Sequence, residues 1–308
     1  MIVSFIDAYK DLFGVEPICR VLKDHNLQVA PSTYYAVKTR PPSARSLSDE
    51  KLLEDVKRIH RENYGVYGLR KVWHALQREG VDAGRDQVAR LMRIAGLKGV
   101  TRRKRIRTTI PALDDVRSPD LVQRDWFRDA PDLVWVTDFT HVSTREGWVY
   151  VSFLQDGFSR HILGFTVAPS KTTELVSRAL DQAVSVRRRN SDLTFMADGV
   201  LVHSDAGSQY TSLAFSQKLQ DHGLVGSIGR VGTAYDNALM ESTIGLFKTE
   251  LIHARSTGWQ SRQEVETATA QWVAWFNRAR LHSELGYRTP IEIEMAYAHQ
   301  AGLPKQAA

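Results

Sequence analysis

The sequence predicts an α/β core, preceded by an all-α basic region and followed by a helical tail. Three observations predict it. Strand-like runs at 133–138, 148–154 and 160–168 lead into alternating helical and strand-like segments, the pattern of an α/β domain. Charge is divided unevenly: residues 1–110 hold 22 Lys/Arg against 12 Asp/Glu, whereas residues 131–308 hold 16 against 18. The first part is suited to phosphate and the second to cations. Finally, 261–300 has helical periodicity with Trp272, Val273, Trp275 and Phe276 on one bulky apolar face, which reads as packing rather than base stacking.

Composition excludes several classes. A chain of 308 residues has room for two or three domains. It contains no run of eighteen apolar residues, so no membrane span is expected. Met1–Lys10 carries Asp7 and lacks a basic-then-apolar signal pattern. Cys19 is the single cysteine, which rules out an internal disulfide and the common zinc sites, and points to a cytoplasmic, reducing compartment.

The first expected unit is 1–42. Pro17 follows Glu16 where a helix can begin, and Ile18, Val21 and Leu22 form its apolar face. Ser32 is positioned to cap a second helix, Thr33 to Lys38. Helix, turn and helix ending in Lys38 and Arg40 fit either a helix-turn-helix on DNA or a plain helical hairpin. Arg40-Pro41-Pro42-Ser43 is a linker.

The second unit is 43–110, a basic three-helix domain. Helices are expected at 47–62 (Leu52, Leu53, Val56, Ile59 and His60 inward), 69–78 (Val72, Trp73, Leu76) and 85–95 (Val88, Leu91, Met92, Ile94). Tyr64-Gly65-Val66-Tyr67-Gly68 is a turn. Arg102, Arg103, Lys104, Arg105 and Arg107 put five cations into six positions; they fit DNA contact, with a solvated linker as the alternative. Residues 111–131, with Pro111, Pro119 and Pro131, are the connector to a core at 132–255, and the tail is 256–308.

In the core, Asp138 ends the run Leu133–Thr137, and Asp205 follows the apolar run Val200-Leu201-Val202. A turn, Asp156–Ser159, joins the second and third strands; Asp156 and Asp198 sit in glycine turns and need no further role. A helix is expected at 172–189, another near 211–222 and a strand near 224–228. Glu241 lies in a helix whose apolar stripe is Met240, Ile244, Phe247 and Leu251. Asn237, Glu241, Gly245 and Lys248 form a polar stripe beside it. Three converging carboxylates repel one another unless a cation lies between them, and an oxygen-only set suits Mg²⁺ or Mn²⁺.

Asp205 and Glu241 are separated by 35 residues, with Lys248 seven beyond Glu241. This resembles the D…D(35)E pattern of retroviral integrases and insertion-sequence transposases. The words H-S-D-A-G-S-Q-Y-T-S (203–212), D-N-A-L-M-E-S (236–242) and F-N-R-A-R-L-H-S-E-L-G-Y-R-T-P (276–290) narrow the resemblance to the second-reading-frame protein of the insertion-sequence-three family. The resemblance implies a ribonuclease-H-like integrase core with a helix-turn-helix-type region before it. It also implies two Mg²⁺ or Mn²⁺ ions on Asp138, Asp205 and Glu241, and a contact from Lys248 to element-end DNA. Asn237, one turn before Glu241, suits a bond to the carboxylate or to DNA. His203 suits a phosphate contact, or is a satisfied strand-end histidine. Asp236 suits a cap.

The expected activity is metal-dependent 3′-end cleavage and strand transfer at element ends. A nuclease that only hydrolyses and a DNA-binding regulator with an inactive core are the alternatives. Double-stranded DNA (terminal repeats and target) and further copies of the chain on DNA are the expected partners. The resemblance adds a partner or fusion from an upstream reading frame.

Overall fold

The computed structural model describes residues 2–101, 129–189, 199–229 and 237–302. Two compact units result, Met1–Glu54 and Asp55–Ala308.

In the first unit, α1 (Ile2–Phe13), α2 (Val15–Asp24) and α3 (Pro31–Thr39) surround Ile6, Ile18, Cys19 and Tyr34. Val21, expected inside, is 56% exposed, and Cys19 takes its place because the helix turns the next position inward. Ser32 is not the cap either: Pro31 opens α3 and Ala30 precedes it, since proline's fixed φ already suits the first helical position. Lys38 and the Tyr34 hydroxyl both donate to Asp7 and hold its carboxyl below the usual range. Arg40 is exposed at the C-terminal end of α3.

Helix α4 (Ala44–Glu62) is followed by α5 (Leu69–Arg78) and α6 (Arg85–Ile94). Val56, Ile59, Val72, Leu76, Val88, Leu91 and Met92 are buried. Ile94 is 65% exposed, against expectation, because α6 ends there and its last turn rolls off the apolar face. The basic run 102–107 lies outside the described residues, as does most of the connector and the positions of Asp198 and Asp236.

The second unit also holds a five-stranded mixed sheet in the order β3-β2-β1-β4-β5. Strands β1 (Val134–Thr144), β2 (Gly147–Asp156) and β3 (Ile162–Ala168) are antiparallel neighbours, while β4 (Leu201–Ser204) and β5 (Val225–Ile228) continue parallel to β1. The β1–β2 hairpin is longer than the sequence suggested. His141, Ser143 and Trp148 extend it with exposed side chains, and the alternation in the far half of β1 rests on a single apolar residue. Its tip is held by Arg145 N–H donating to the Trp259 carbonyl (3.0 Å).

Helices α7 (Thr173–Arg189) and α8 (Leu213–Asp221) cover one face, burying Trp135, Leu154, Leu163, Val176, Leu180, Val202 and Phe215 together. Each such side chain contributes about 1.5–3 kcal/mol of burial. Gly164 lets α7 touch β3: a Cβ there would lie 2.0 Å from the Ala179 carbonyl oxygen. On the other face, Phe153 packs edge-on against Phe247 (5.0 Å) and Trp272 (6.2 Å). These belong to α9 (Ala238–Phe247) and α10 (Arg262–Arg278); the last helix is α11 (Pro290–Gln300), started by a Thr289–Glu292 capping box. A π-helical turn, Lys248–Ile252, continues α9 directly. The tail aromatics Trp272, Trp275 and Phe276 are buried, as packing residues would be.

Asp156 does more than turn the chain. It is fully buried, and its carboxylate accepts from the Ser159 N–H (2.7 Å), the Ser159 hydroxyl (2.8 Å) and the Asp132 N–H (2.8 Å). Ser159 Oγ also lies 2.7 Å from Glu294 of α11, its one proton shared between the two carboxylates; Glu294 is bidentate to Arg187 of α7 (2.7 and 3.0 Å) and bonded to His161 (2.9 Å). Loss of hydration raises Asp156 to about 6. Glu294 is held well below the carboxylate range, its charge favoured by His161 and Arg187 against the cost of burial.

Candidate active site

The parallel pairing of β1 with β4 places the first two acids. Trp135 is level with Val202, and Val136 with His203. That pairing ends at Val136 and His203; Asp138 lies two residues further along β1, and Asp205 directly follows the last residue of β4. Asp138 is half-buried, and its carboxylate accepts from the Phe139 N–H at 2.7 Å. Asp205 accepts from the Gly207 N–H at 3.1 Å. Gly207 leaves room for it: a Cβ would stand 3.1 Å from that same carboxylate oxygen and would press on it.

The two acids shape their surroundings. One side of Asp205 is open to solvent, yet the protein packed around its carboxyl removes enough hydration to push its pKa above the usual range; the Gly207 N–H opposes this. Tyr210 is buried, its hydroxyl 3.4 Å from Thr137 Oγ1. Burial first, and then the negative charges of Asp138 and Asp205, push its pKa well above 10, so the phenol stays neutral.

The third acid, Glu241, is exposed in the first turn of α9. Its backbone N–H donates to the carbonyl of Asn237 (3.0 Å), and the Asn237 side-chain N–H donates to the carbonyl of Thr137 (3.1 Å), the residue before Asp138. The start of α9 is therefore tied to β1 beside the acid pair.

For a divalent ion, Asp138 and Asp205 offer the oxygen donors it prefers; the charges of both act on the Tyr210 hydroxyl, and hydration is already reduced at Asp205. Among the described residues no three acids or histidines stand close enough to hold an ion together, so Glu241 is not gathered with the pair.

Two expected DNA contacts take other roles. His203 is fully buried and its Nδ1 is 2.9 Å from the Ser227 hydroxyl on β5, so it is an interior strand histidine and not a surface one. Asn237 is also buried, its amide engaged with β1, and does not present itself to DNA. Lys248 is half-buried where α9 passes into the π-helical turn, two turns beyond Glu241, and with Lys171 it helps lower the pKa of His141, behind the loss of hydration there. The sequence reading missed Tyr210 and Thr137; only their adjacency to Asp138 and Asp205 in the fold reveals them.

Comparison with known proteins agrees with this architecture. Residues 47–105 match the HTH-like domain, and residues 128–234 and 222–290 match two integrase core domain families. The transposase for insertion sequence element IS629 of Shigella sonnei is 43% identical, over 97% of this chain and 98% of its own length. The chain belongs to the insertion-sequence transposases of the insertion-sequence-three type. A second member of this transposase family, for element IS904 of Lactococcus lactis, is 30% identical over 83% of this chain and 98% of its own. Among solved structures, the HTLV-2 integrase catalytic core domain in complex with magnesium is 19% identical, covers 53% of this chain and 97% of that one, and gives a TM-score of 0.40. The transposase is thus an integrase-core protein with an HTH-like region ahead of a mixed, ribonuclease-H-like sheet. Among the described residues no helix is long and apolar enough to cross a membrane.

Proposed function

We propose that this transposase cleaves a phosphodiester at each element end with water, freeing a 3′-hydroxyl, and then joins that hydroxyl to a phosphodiester of target DNA. The observation that carries this reading is that Asp138 on β1 and Asp205 just after β4 both lie beyond the same end of the β1–β4 pairing, and the charges of both act on the buried Tyr210 hydroxyl. In it, Asp138 and Asp205 hold two Mg²⁺ or Mn²⁺ ions, and Glu241 completes the site from α9. Bound there, the ions would offset negative charge on the attacking and leaving oxygens. The protein's own groups supply position. Asp138 is fixed by its pairing with Phe153 of β2 and by the Phe139 N–H, and Asp205 by the Gly207 N–H. Asn237 holds the start of α9. Lys248 contacts the DNA backbone near the acids. Both steps are in-line displacements at phosphorus in which one P–O bond forms as another breaks, so one arrangement serves both.

The partners in this reading are double-stranded DNA, further copies of the chain, and a segment from an upstream reading frame, all in the cytoplasm. DNA contacts come from the basic first part of the chain, including Arg40, with Lys38 shared with Asp7, and from Arg102, Arg103, Lys104, Arg105 and Arg107. A strand-transfer assay with labelled element ends and Mg²⁺ tests it. Joined product supports the proposal; cleavage without joining indicates a nuclease, and binding alone indicates a regulator.

A further inference from the structure

The sequence word F-N-R-A-R-L-H-S-E-L-G-Y-R-T-P, residues 276–290, has no part in the chemistry above, yet it is built with unusual care. It and the end of α10 receive the helical module formed by residues 55–100. Tyr67, buried between α4 and α5, accepts from the Leu281 N–H (2.7 Å), and its hydroxyl reaches the Ala279 carbonyl (3.4 Å). Trp275 Nε1 donates to Asn63 Oδ1 (3.0 Å), with the Tyr64 ring 4.9 Å from Trp275. His74 of α5 stacks on Tyr287, centroids 3.6 Å apart and rings 24° from parallel. Arg78, at the end of α5, donates to the Tyr287 carbonyl (3.3 Å) and pairs with Glu292 of α11.

The same word also grips the helix of Glu241. Arg280 is buried and forked onto Glu250, with Nε–Oε2 at 2.9 Å and Nη2–Oε1 at 2.6 Å. Glu250 lies in the π-helical turn that continues α9, nine residues or about 13 Å along the axis from Glu241. Arg280 is also 3.2 Å from His282 Nδ1, whose Nε2 faces the Phe276 carbonyl at 3.3 Å. Burial, and then the Arg280 charge, push His282 down to about 2, so it stays neutral and accepts from the guanidinium. Strain lies at both ends of the dock: Tyr64 (φ 57°) and Tyr287 (φ 59°) are held left-handed, a conformation that is unfavourable for a non-glycine residue. Such strain persists only where surrounding contacts over-determine it.

We infer that residues 276–290 form a ruler: they fix the DNA-binding helical module at one distance from Glu241, and so select which phosphodiester meets the acids. Tyr67 is the positioning residue on the module side, and Arg280 on the side of the catalytic helix. The inference rests on the transposase reading above. A phosphate displaced by one nucleotide moves by about 3.4 Å along the DNA helix axis, so a loose dock spreads the cut over neighbours. A rigid one does not.

The test uses the full chain with Tyr67→Phe and His74→Ala combined, which remove the bridging hydroxyl and the stack while leaving Arg280–Glu250 intact. Element-end binding by gel shift should stay within about twofold of wild type. Cleavage mapped on sequencing gels should spread from one phosphodiester to its neighbours, and joining should fall about tenfold or more. A single unchanged cut at wild-type yield would overturn the ruler, and so would loss of end binding, since the dock would then serve only to fold the module. An independent measurement needs no activity. With Cys19→Ser, Arg93→Cys and Gln220→Cys as spin-label sites, the intact dock should give one narrow distance and the Tyr67→Phe/His74→Ala variant a broad one. A narrow distance in both would overturn the proposal. If the wild type gives the narrow distance but neither cuts nor joins DNA, the transposition chemistry proposed above fails and the rigid dock stands.

Discussion

Glu241 and Lys248 share one face of one helix, and their substitutions should fail in different ways. Glu241→Gln keeps size and hydrogen-bonding capacity but removes a ligand charge. Cleavage and joining should fall by about three orders of magnitude, with gel-shift affinity for ends nearly unchanged. Joining within about tenfold of wild type would mean that Glu241 is no part of the site. Lys248→Ala should weaken end binding and make the logarithmic salt dependence shallower by about one counterion. A wild-type salt slope with normal joining would leave Lys248 as a structural side chain. Asn237 tests how the acid is presented. Its side chain was read in the sequence as facing carboxylate or DNA, but it is buried and tied to Thr137. Asn237→Ala should therefore lower turnover about tenfold or more with little effect on DNA affinity, because it frees the start of α9 instead of removing a DNA contact. A selective loss of affinity would restore the DNA role.

Elements were legible in the sequence wherever apolar periodicity was strong. The bounds of α5 coincide with the expected 69–78, and α7 starts within a residue of the expected 172–189. The far half of β1 was not legible, because its alternation of buried Thr140 and Val142 with exposed His141 and Ser143 rests on a single apolar residue. Asp138 and Asp205 were legible through their motif, and the fold adds that both follow the β1–β4 pairing and act on Tyr210. Asp156 was read as a plain turn residue because the cluster it joins, through Asp132 and Ser159 to Arg187 and Glu294, draws on distant parts of the chain that meet only after folding. This cluster joins α7 and α11 to the sheet, and Glu294→Gln should expose its worth. The change leaves Arg187 buried without its bidentate partner, a cost of about 3–5 kcal/mol in denaturant unfolding. The pH dependence follows from the depressed pKa of Glu294. That contribution is fully present above the unfolded carboxylate value of about 4.3 and fades as pH falls toward the folded value. The stability gap between wild type and variant should therefore narrow in acid; a gap constant from pH 7 to 3 would show that the charge of Glu294 is not what holds the cluster.

At the scale of the whole molecule, charge suggests cutting the chain in its connector near residue 130, and packing says what the cut would do. The 1–130 part carries 25 Lys/Arg against 17 Asp/Glu, and the 131–308 part 16 against 18. On charge alone the first should bind DNA steeply with salt, and the second should bind cations well and polyanions poorly. But Tyr67, Asn63, His74 and Arg78 sit on the tail through Leu281, Trp275, Tyr287 and Glu292. Separating the parts uncovers Trp275 and the ring of Tyr287, an apolar surface that favours association. The 131–308 part expressed alone should therefore tend to self-associate and show only weak, sequence-indifferent phosphodiester chemistry. Co-expressed with the 1–130 part, it should co-purify with it through the dock and recover selection of matched over scrambled ends. Tyr67→Phe with His74→Ala in the 1–130 part should weaken that capture without weakening the part's own DNA binding. Pull-down and gel shift on matched and scrambled ends measure both. A 131–308 part that is monodisperse alone and selects matched ends as well as the full chain would place recognition in the core, and the division of labour argued from charge and docking would be wrong.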